Sequence, residues 1–322
     1  MTYRRACIAM LGVLALPIAG ALAADDYPTR PIRMIVGFAP GGGTDLTARP
    51  VALKLSELLG KQVIVENRPG AAGNIATEQV AKAAPDGYTL LMGTIAALAI
   101  NPTLYGNLKY DPEADFEPII QVVDATNVLA LHPSVQANSV QELIALARQK
   151  SLSAGSSGIG ATGHLSIELF NLLAGVKLVH VPYKGGGPAM GDLIGGQVQL
   201  IFATTASAGP QIKAGRIKGI AVTTIRRSAL MPELPTISEA GLPGFDANNW
   251  YGLVAPAKTP RAIIERLNAE VTKILILPEV KAALVNQGLD PAPGTPEQFG
   301  AYIRSERIKW ATVIKESGAK AE

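Results

Sequence analysis

The sequence predicts an α/β fold in which two βα assemblies follow one another, each with a parallel-rich sheet flanked by helices. Three observations predict it. Short apolar runs such as residues 32–38 have the length and composition of strands buried on both faces. Glycine-rich turns follow these runs, and segments with helical spacing of apolar residues follow the turns. This order recurs along the chain and is typical of parallel sheets covered by helices.

In the first assembly the elements alternate as in βαβ units. Residues 32–38 form the first strand, and the glycine-rich stretch after it ends that strand. Thr44 is predicted to cap the next helix, which should stop at Gly60. Prolines 102 and 112 predict irregular chain over residues 101–116. The other predicted elements are strands at residues 62–66 and 88–92, with a short helix ending near residue 83 between them.

The second assembly repeats this order. Ser139 is predicted to cap a helix that ends at residue 149, and a glycine-rich loop over residues 155–163 should open another helix. Residues 231–245 are rich in Pro and Gly and predict a connector, and the helices of the tail should pack on an existing sheet. The other predicted elements are strands at 119–123, 128–131, 152–154, 178–181, 198–202, 217–223 and 251–255, and helices ending near 194 and 215 and over 261–275, 280–285 and 296–316.

Residues 1–23 are predicted to be a secretory signal peptide. Arg4 and Arg5 precede a short apolar run, and Ala21 and Ala23 supply the small residues of an A-x-A cleavage site. The apolar run is shorter than the roughly 20 residues of a membrane span, although an uncleaved anchor is the alternative. A lipoprotein modified at Cys7 is disfavoured because basic residues precede that cysteine. We therefore expect export, with cleavage near Ala23.

Export limits the chemistry that the chain can perform. Cys7 is its one cysteine, so the mature chain has no thiol for a disulfide or a zinc site. Removing the first 23 of 322 residues leaves 299, enough for two domains, and lowers the net charge from +3 to about +1. This balanced charge argues against nucleic acid as a partner. None of the three histidines has metal-ligand spacing to another, so we expect no metal and no cofactor.

Two glycine-rich loops are similar to nucleotide-binding motifs, but each lacks a required residue. Residues 37–44 differ from a P-loop because Gly43 stands where the lysine should be. Residues 158–163 match G-x-G-x-x-G, but the next strand has no terminal acid for a ribose. ATP and NAD are also scarce outside the inner membrane.

Both loops keep the features of an anion site. Glycines allow backbone N–H groups to converge at a helix N-terminus, where the helix dipole adds positive potential. Each loop follows the carboxyl end of a predicted strand, where α/β sheets place their ligands. The hydroxyls of Thr44, Ser156, Ser157 and Thr162 can add donors. The alternative is that these glycines only form tight βα turns.

A secreted hydrolase is the rival interpretation. Its nucleophile would be Ser157, paired with His180, although Ile159 stands where a G-x-S-x-G motif needs glycine. We interpret His164 as a hydrogen-bond donor at a helix start and Asp45 as an acid that complements the helix dipole.

Two further positions have open interpretations. Arg68 either stabilises its own loop or binds a ligand. Trp250 and Tyr251 either line a cleft or pack in the core.

Longer motifs extend over essentially the whole mature chain. They are YPTRPI (27–32), GFAPGGGTD (37–45), VENRPGAAG (65–73), DGYTL (86–90), HVPYKGGGPA (180–189), GGQV (195–198), KAG (213–215), PTISEAG (235–241) and WYG (250–252). In this order they resemble the substrate-binding receptors of tripartite tricarboxylate transporters, also called the Bug family.

The resemblance implies a periplasmic, two-lobed binding protein of the Venus flytrap type (type II-like) rather than an enzyme. Residues 25–124 and 251–322 would form lobe 1, and residues 125–250 lobe 2. The ligand would be a small organic anion, in this family mostly a carboxylate, and the partner would be the membrane permease subunits of a tripartite transporter. We expect a monomer, and a chemosensory receptor for the same ligand is an alternative role.

The resemblance also implies which residues bind the ligand. One carboxylate would bind the second-lobe loop, and the first-lobe loop would act partly through ordered water. Residues 203–205 read Ala-Thr-Thr where many members have Asp-Asn or a similar polar pair, so we hypothesise that this receptor does not favour amino acids. The expected ligand-binding residues are Phe38, Pro40, Gly41, Gly42, Gly43, Thr44, Asp45 and Thr94 in the first lobe, and Ser156, Ser157, Gly158, Ile159, Gly160, Ala161, Thr162 and Thr204 in the second.

Overall fold

Strands and helices alternate through most of the chain in a computed structural model that describes residues 27–183, 186–228 and 230–320. The predicted signal peptide lies outside the described residues. The strands are β1 (Ile32–Val36), β2 (Val63–Asn67), β3 (Thr89–Thr94), β4 (Phe116–Ala125), β5 (Asn127–Leu131), β6 (Ser153–Ser156), β7 (Val179–Pro182), β8 (Leu200–Thr204), β9 (Lys218–Val222), β10 (Asn249–Pro256) and β11 (Asp290–Pro291).

The helices lie close to the positions that the sequence predicted. Among the described residues, no helix is both long enough and apolar enough to cross a membrane. The α-helices are α1 (Gly43–Leu59), α2 (Asn74–Ala81), α3 (Asn101–Leu104), α4 (Val140–Gln149), α5 (Thr162–Ala174), α6 (Gly186–Ile194), α7 (Thr205–Lys213), α8 (Arg261–Ile276), α9 (Pro278–Val285) and α10 (Pro296–Ser317), with a 3₁₀ turn at Ala71–Gly73 and a π turn at Ala96–Ile100.

The strands form two mixed sheets. The first has the order β11-β4-β10-β3-β1-β2, and the second has the order β7-β6-β8-β5-β9. The parallel pairs are those that the strand–loop–helix pattern indicated: β1 with β2 and β3, and β6 with β7 and β8. The pattern did not predict the antiparallel pairs. In particular, β10 arrives from the far end of the chain and pairs with both β3 and β4.

Helix caps confirm some predicted boundaries and correct others. Gly60 ends α1 in the left-handed conformation (φ 65°), and the Ser139 side chain accepts the amide hydrogen of Glu142. The prediction that Thr44 caps α1 is wrong, because α1 begins at Gly43 and its N-cap is Gly42 with extended backbone. Within the stretch predicted to be irregular, α3 forms one helical turn, since Pro102 is compatible with a first turn.

Helix α10 joins the layers of the molecule. It packs against β4 and α8 and also against α5, which covers the second sheet. The buried carboxylate of Glu306 accepts hydrogen bonds from the indole nitrogens of Trp250 on β10 (3.4 Å) and Trp310 (3.0 Å). The Trp250 ring contacts Phe299 edge-on, which identifies Trp250 as a core residue. The tail therefore packs on existing sheets, as predicted.

The chain passes between the two sheets at adjacent points. It leaves the first sheet after β4 and enters the second at β5, and it returns through the connector between β9 and β10. These two crossings are hydrogen-bonded, because the Thr223 amide donates to the Asn127 carbonyl and the Ala247 amide donates to the Thr223 carbonyl, both at 2.9 Å. Such a paired crossing is the arrangement expected of a hinge.

Candidate functional site

The first glycine-rich loop connects β1 to α1 and is open to solvent. Pro40, Gly41 and Gly42 are exposed, and Gly41 has a left-handed φ of 81°. Gly43 faces the protein instead: a Cβ atom there would lie 2.7 Å from the hydroxyl oxygen of Tyr251. Glycine at this position therefore allows α1 to begin directly against β10.

Asp45 stabilises this loop from within the first turn of α1. Its buried carboxylate accepts hydrogen bonds from the Gly41 amide, the Arg49 guanidinium and the Asn67 side chain, each at 2.9 Å. Asn67 also donates to the Phe38 carbonyl. Burial alone would raise the pKa of Asp45, but these hydrogen bonds outweigh it and lower the pKa. Asp45 is therefore ionised at neutral pH, and it neutralises Arg49.

The Asp45 contact decides which backbone donors of this loop remain for a ligand. The Gly41 amide is already bonded to Asp45, and the Gly42 amide donates to Ala39 at 3.4 Å. Among the described residues, the amides of Gly43, Thr44 and Asp45 have no acceptor. They lie at the N-terminus of a 17-residue helix, where the helix dipole favours an anion.

Thr94 and Tyr251 lie together beside this loop. Thr94 ends β3, which is parallel to β1, so its buried side chain lies at the same sheet edge as the loop. Tyr251 is its partner across the β3–β10 ladder. Burial raises the pKa of Tyr251, while hydrogen bonds to Asn249 and Thr44 lower it less strongly. Tyr251 thus packs its ring in the core and directs a neutral hydroxyl toward the start of α1.

The second loop connects β6 to α5. Gly158 (φ 137°) and Gly160 (φ 77°) adopt conformations that favour glycine, and Ser157 is exposed. A Cβ atom on Gly163 would lie 2.8 Å from the Phe202 carbonyl oxygen, so the first turn of α5 lies directly against β8. Glycine is thus required at these three positions for structural reasons. These reasons account for the G-x-G-x-x-G pattern, so the pattern does not imply a nucleotide-binding site.

Two histidines lie beneath the second loop, and they bear on two interpretations of the sequence. His180 Nε2 lies 2.6 Å from the hydroxyl of Ser156, so His180 pairs with Ser156 and not with Ser157, the pairing that the rival hydrolase interpretation requires. His164 Nδ1 accepts the Gly160 amide hydrogen at 3.2 Å, so His164 is an acceptor here and not the predicted donor. The two rings stack with centroids 4.1 Å apart.

The histidine contacts leave a defined set of donors in the second loop. The Gly158 amide donates to Ser156 Oγ and the Gly160 amide to His164. Among the described residues, the amides of Ser157, Ile159 and Thr162 have no acceptor. Ser156 itself is buried, so its hydroxyl serves the loop and is not exposed to solvent.

Thr204 lies at the same edge of the second sheet. It ends β8, which runs parallel to β6, so the carboxyl ends of both strands meet there. Its hydroxyl lies 3.1 Å from that of Ser207. The structure therefore places the predicted residues in two groups: residues 38–45 with Thr94 at one sheet edge, and residues 156–162 with Thr204 at the other.

The second group contacts α3, which belongs to the first βα assembly. A Cβ atom on Gly160 would lie 2.9 Å from the Leu104 side chain and 3.5 Å from the Asn101 side-chain oxygen. Asn101 is buried, and its amide nitrogen donates to Asn74 (2.6 Å). Sequence reasoning missed Asn101 and the Ser156–His180 pair and left the role of Tyr251 open, because their partners are distant in sequence.

Basic side chains near the loops are paired with acids. Arg68 donates to Glu66 at 3.3 Å, which favours the interpretation that it stabilises its own segment. Hydrogen bonds from Arg33, opposed by burial, lower the pKa of Glu66 to about 2. Within the described ranges, no cluster of three or more His, Cys, Asp or Glu residues could bind a metal ion. Backbone amides and hydroxyls are thus the donors that the two loops offer.

Comparison with known proteins gives consistent matches over most of the chain. The family described as "Tripartite tricarboxylate transporter family receptor" matches residues 47–319. Protein BugT of Bordetella pertussis is 38% identical over 318 residues, which cover 97% of this chain and 98% of BugT.

Solved structures of similar proteins share the fold. Rpa4515 of R. palustris, solved with adipate, has a TM-score of 0.83 and 39% identity, covering 91% of this chain and 99% of that one. The periplasmic binding protein BugD has a TM-score of 0.80 and 36% identity, with coverage of 92% and 100%. MatC of Rhodopseudomonas palustris, solved with bound malate, has a TM-score of 0.79 and 31% identity, with coverage of 89% and 100%.

These matches confirm the resemblance seen in the motifs, and they confirm the two-lobed periplasmic binding protein fold. They are solute-binding proteins and not enzymes. The chain belongs to the receptor family of the tripartite tricarboxylate transporters, the Bug proteins.

Proposed function

We propose that this protein binds a small organic carboxylate in the cleft between its lobes and delivers it to the membrane permease of a tripartite tricarboxylate-type transporter. One observation carries the proposal: each lobe presents a helix N-terminus whose backbone amides have no acceptor among the described residues, in a chain 39% identical to a structure solved with adipate. Carboxylates are suitable ligands for such amides, because the helix dipole and the N–H groups act together.

The lobes in this proposal are residues 25–124 with 251–322, and residues 125–250. The membership of the two sheets supports these boundaries, since β4 ends at Ala125 and β10 begins at Asn249. The paired crossings between β4 and β5 and between β9 and β10 act as the hinge. Ligand contacts from both lobes stabilise the closed form relative to the open form.

The donors divide between the lobes. In the first lobe, the amides of Gly43, Thr44 and Asp45 and the hydroxyls of Thr44 and Thr94 contact the ligand or its water. In the second, the amides of Ser157, Ile159 and Thr162 bind one carboxylate. The remaining proposed contacts shape the two loops: Phe38, Pro40, Gly41, Gly42, Ser156, Gly158, Gly160, Ala161 and Thr204.

The mature protein begins after a cleavage near Ala23 and acts in the periplasm as a monomer. The family and the periplasmic relatives support this localisation. A dicarboxylate without an amino group is the favoured ligand, because residues 203–205 read Ala-Thr-Thr where many family members have a polar pair whose acid could bind an ammonium group. The Asp45 carboxylate supports this preference, because it is already bonded to Arg49 and Gly41. It is therefore not free to bind a ligand ammonium group.

A thermal-shift screen tests the proposed function. The mature protein, stripped of bound ligand, is heated with adipate, malate, succinate, citrate, aspartate or glutamate, and adipamide serves as the uncharged control for adipate. Because a ligand that binds only the folded state raises Tm, we expect at least one dicarboxylate to raise it and adipamide to leave it unchanged. Stabilisation by none of the carboxylates, or equally by adipamide, contradicts the proposal. Tight binding of aspartate or glutamate alone contradicts the ligand preference.

A further inference from the structure

The stacked histidines beneath the second loop form one hydrogen-bonded unit with it. His164 lies in the first turn of α5, and its Nδ1 accepts the amide hydrogen of Gly160 (3.2 Å). His180 lies on β7, and its Nε2 is 2.6 Å from Ser156 Oγ, which in turn accepts the Gly158 amide hydrogen at 3.1 Å. The rings stack at 4.1 Å with an angle of 16° between planes. Both glycines of the loop are therefore bonded to this unit.

This arrangement requires a neutral His164. An Nδ1 that accepts a hydrogen bond has no proton, and an imidazolium would direct an N–H group at the Gly160 N–H group. His180, stacked on the ring, is one titratable group that faces it, and Glu168, whose carboxylate is 3.7 Å from His164 Nε2, is the other. Helix α10 and β8 also pack on α5, and their described residues make no ion pair with His164.

Burial determines the charge of both rings. It lowers the pKa of His164 to about 4, with a smaller contribution from His180, and it lowers the pKa of His180 to about 4. Burial also raises the pKa of Glu168. Both rings are therefore neutral at pH 7, and the Gly160 hydrogen bond persists there and is lost as the pH falls toward 4.

We propose that His164 and His180 are positioning residues for ligand binding: His164 bonds the Gly160 amide inward, and His180 holds the Ser156 hydroxyl that bonds the Gly158 amide inward, so that the amides of Ser157, Ile159 and Thr162 point to the ligand carboxylate. This inference rests on the proposed function of the second loop. Because the hydrogen bond to Gly160 needs an unprotonated Nδ1, the ligand affinity of the protein also becomes sensitive to acid at this position.

Matched substitutions separate this role from simple packing. The side-chain oxygen of Asn can occupy the position of a histidine Nδ1, whereas the end of Gln reaches the position of Nε2. We therefore expect His164→Asn and His180→Gln to keep adipate affinity within about threefold of wild type at pH 7, since they keep the hydrogen bonds. The exchanged substitutions, His164→Gln and His180→Asn, should each lower adipate affinity at least tenfold, because they lose these hydrogen bonds. A tenfold change in affinity corresponds to about 1.4 kcal/mol. His132→Asn, at a half-buried histidine bonded to Ser134 outside both loops, is the control.

The pH profile supplies a second readout. The carboxylates of adipate titrate in the same way whether wild type or His164→Asn is measured. The ratio of the two dissociation constants therefore reports only the effect of residue 164. We expect this ratio to be constant from pH 8 to 6 and to change as the pH falls from 5 to 3.5, through the pKa of His164, because only the wild type loses the Gly160 bond. A constant ratio throughout overturns the role of His164 protonation.

A measurement without ligand keeps this test separate from the test of the proposed function. Amide hydrogen exchange of Gly160 in the unliganded protein should be slow in wild type and His164→Asn and faster in His164→Gln. Equal exchange rates of the Gly160 amide in all three proteins overturn the positioning role, whatever their affinities for adipate. Faster exchange with unchanged adipate affinity overturns the link to the ligand. If wild type binds none of the carboxylates, the proposed function fails, and the exchange data alone decide whether the histidines position the loop.

Discussion

The carboxylate of Asp45 accepts a hydrogen bond from the backbone amide of Gly41 at 2.9 Å, so the first turn of α1 is bonded to the loop that precedes it. The same carboxylate bonds Arg49 and Asn67, and Asn67 donates to Phe38. The first loop is thereby shaped before any ligand arrives. A preformed site loses less conformational entropy on binding, which favours affinity.

Replacing Asp45 by alanine should loosen the first loop. We expect Asp45→Ala to lower the free energy of unfolding by about 1–3 kcal/mol, because the three hydrogen bonds to its buried carboxylate are lost. Adipate affinity should fall about tenfold by calorimetry. Asp86→Ala is the matched control, since Asp86 pairs with Arg30 at an exposed site and should matter little. Tighter binding in Asp45→Ala would mean instead that Asp45 competes with the ligand for the Gly41 amide.

Two glycines that flank α5 offer a matched pair for the second loop. Gly160 (φ 77°) and Gly175 (φ 61°) both adopt the left-handed conformation, so alanine at either should cost about 1 kcal/mol of stability. At Gly160 the new methyl group also meets Leu104 on α3 at 2.9 Å, whereas at Gly175 it meets nothing within 4 Å. We expect Gly160→Ala to lower adipate affinity at least tenfold and Gly175→Ala to leave it unchanged. Equal affinities for the two variants would refute a role of the Gly160 loop in binding.

Glu306 should be a determinant of stability rather than of binding. Its buried carboxylate bonds Trp250 and Trp310 and lies near Lys309, so Glu306→Ala should lower the free energy of unfolding by about 2–4 kcal/mol. Glu316→Ala, exposed on the same helix, is the control. Urea unfolding followed by tryptophan fluorescence is well suited, because these are the two tryptophans of the chain. A loss of less than 0.5 kcal/mol, at the level of a surface substitution, would contradict this role.

Asp124 should oppose stability at alkaline pH. Asp124 lies near the end of β4, close to the first crossing between the sheets. The side chains of Asn248 and Gln121 donate hydrogen bonds to its carboxylate. Burial, with the nearby acids Asp290 and Asp246, raises the pKa of Asp124 to about 6, against the hydrogen bonds.

The raised pKa fixes the sign of the pH dependence. The folded state binds a proton between pH 6 and 4 that the unfolded state does not, so this group destabilises the fold as the pH rises through 6. Asp124→Asn should therefore stabilise the protein at pH 8 by about 1–3 kcal/mol, a gain that shrinks toward pH 4.5. Urea unfolding of wild type and variant at both pH values measures it. An equal difference at the two pH values would refute the assignment.

Local sequence patterns were sufficient for the order of elements and for the place of both loops. Apolar runs, glycine turns and caps such as Ser139 act over a few residues, so their effect can be read from the chain directly. The carboxyl ends of parallel strands lie at one sheet edge, and the predicted loops therefore fall beside Thr94 and Thr204 as the pattern implied.

The tertiary structure alone decided which groups complete the site. The insertion of β10 between β3 and β4 brings Tyr251 against Gly43, and the pairing of β6 with β7 brings His180 to Ser156 instead of Ser157. These contacts join residues far apart in sequence. Their energy depends on tertiary packing, which the local periodicity of apolar residues does not reveal. The sequence by itself thus determined a glycine-rich helix start in each βα assembly, and the fold decided which of its amides remain without an acceptor among the described residues.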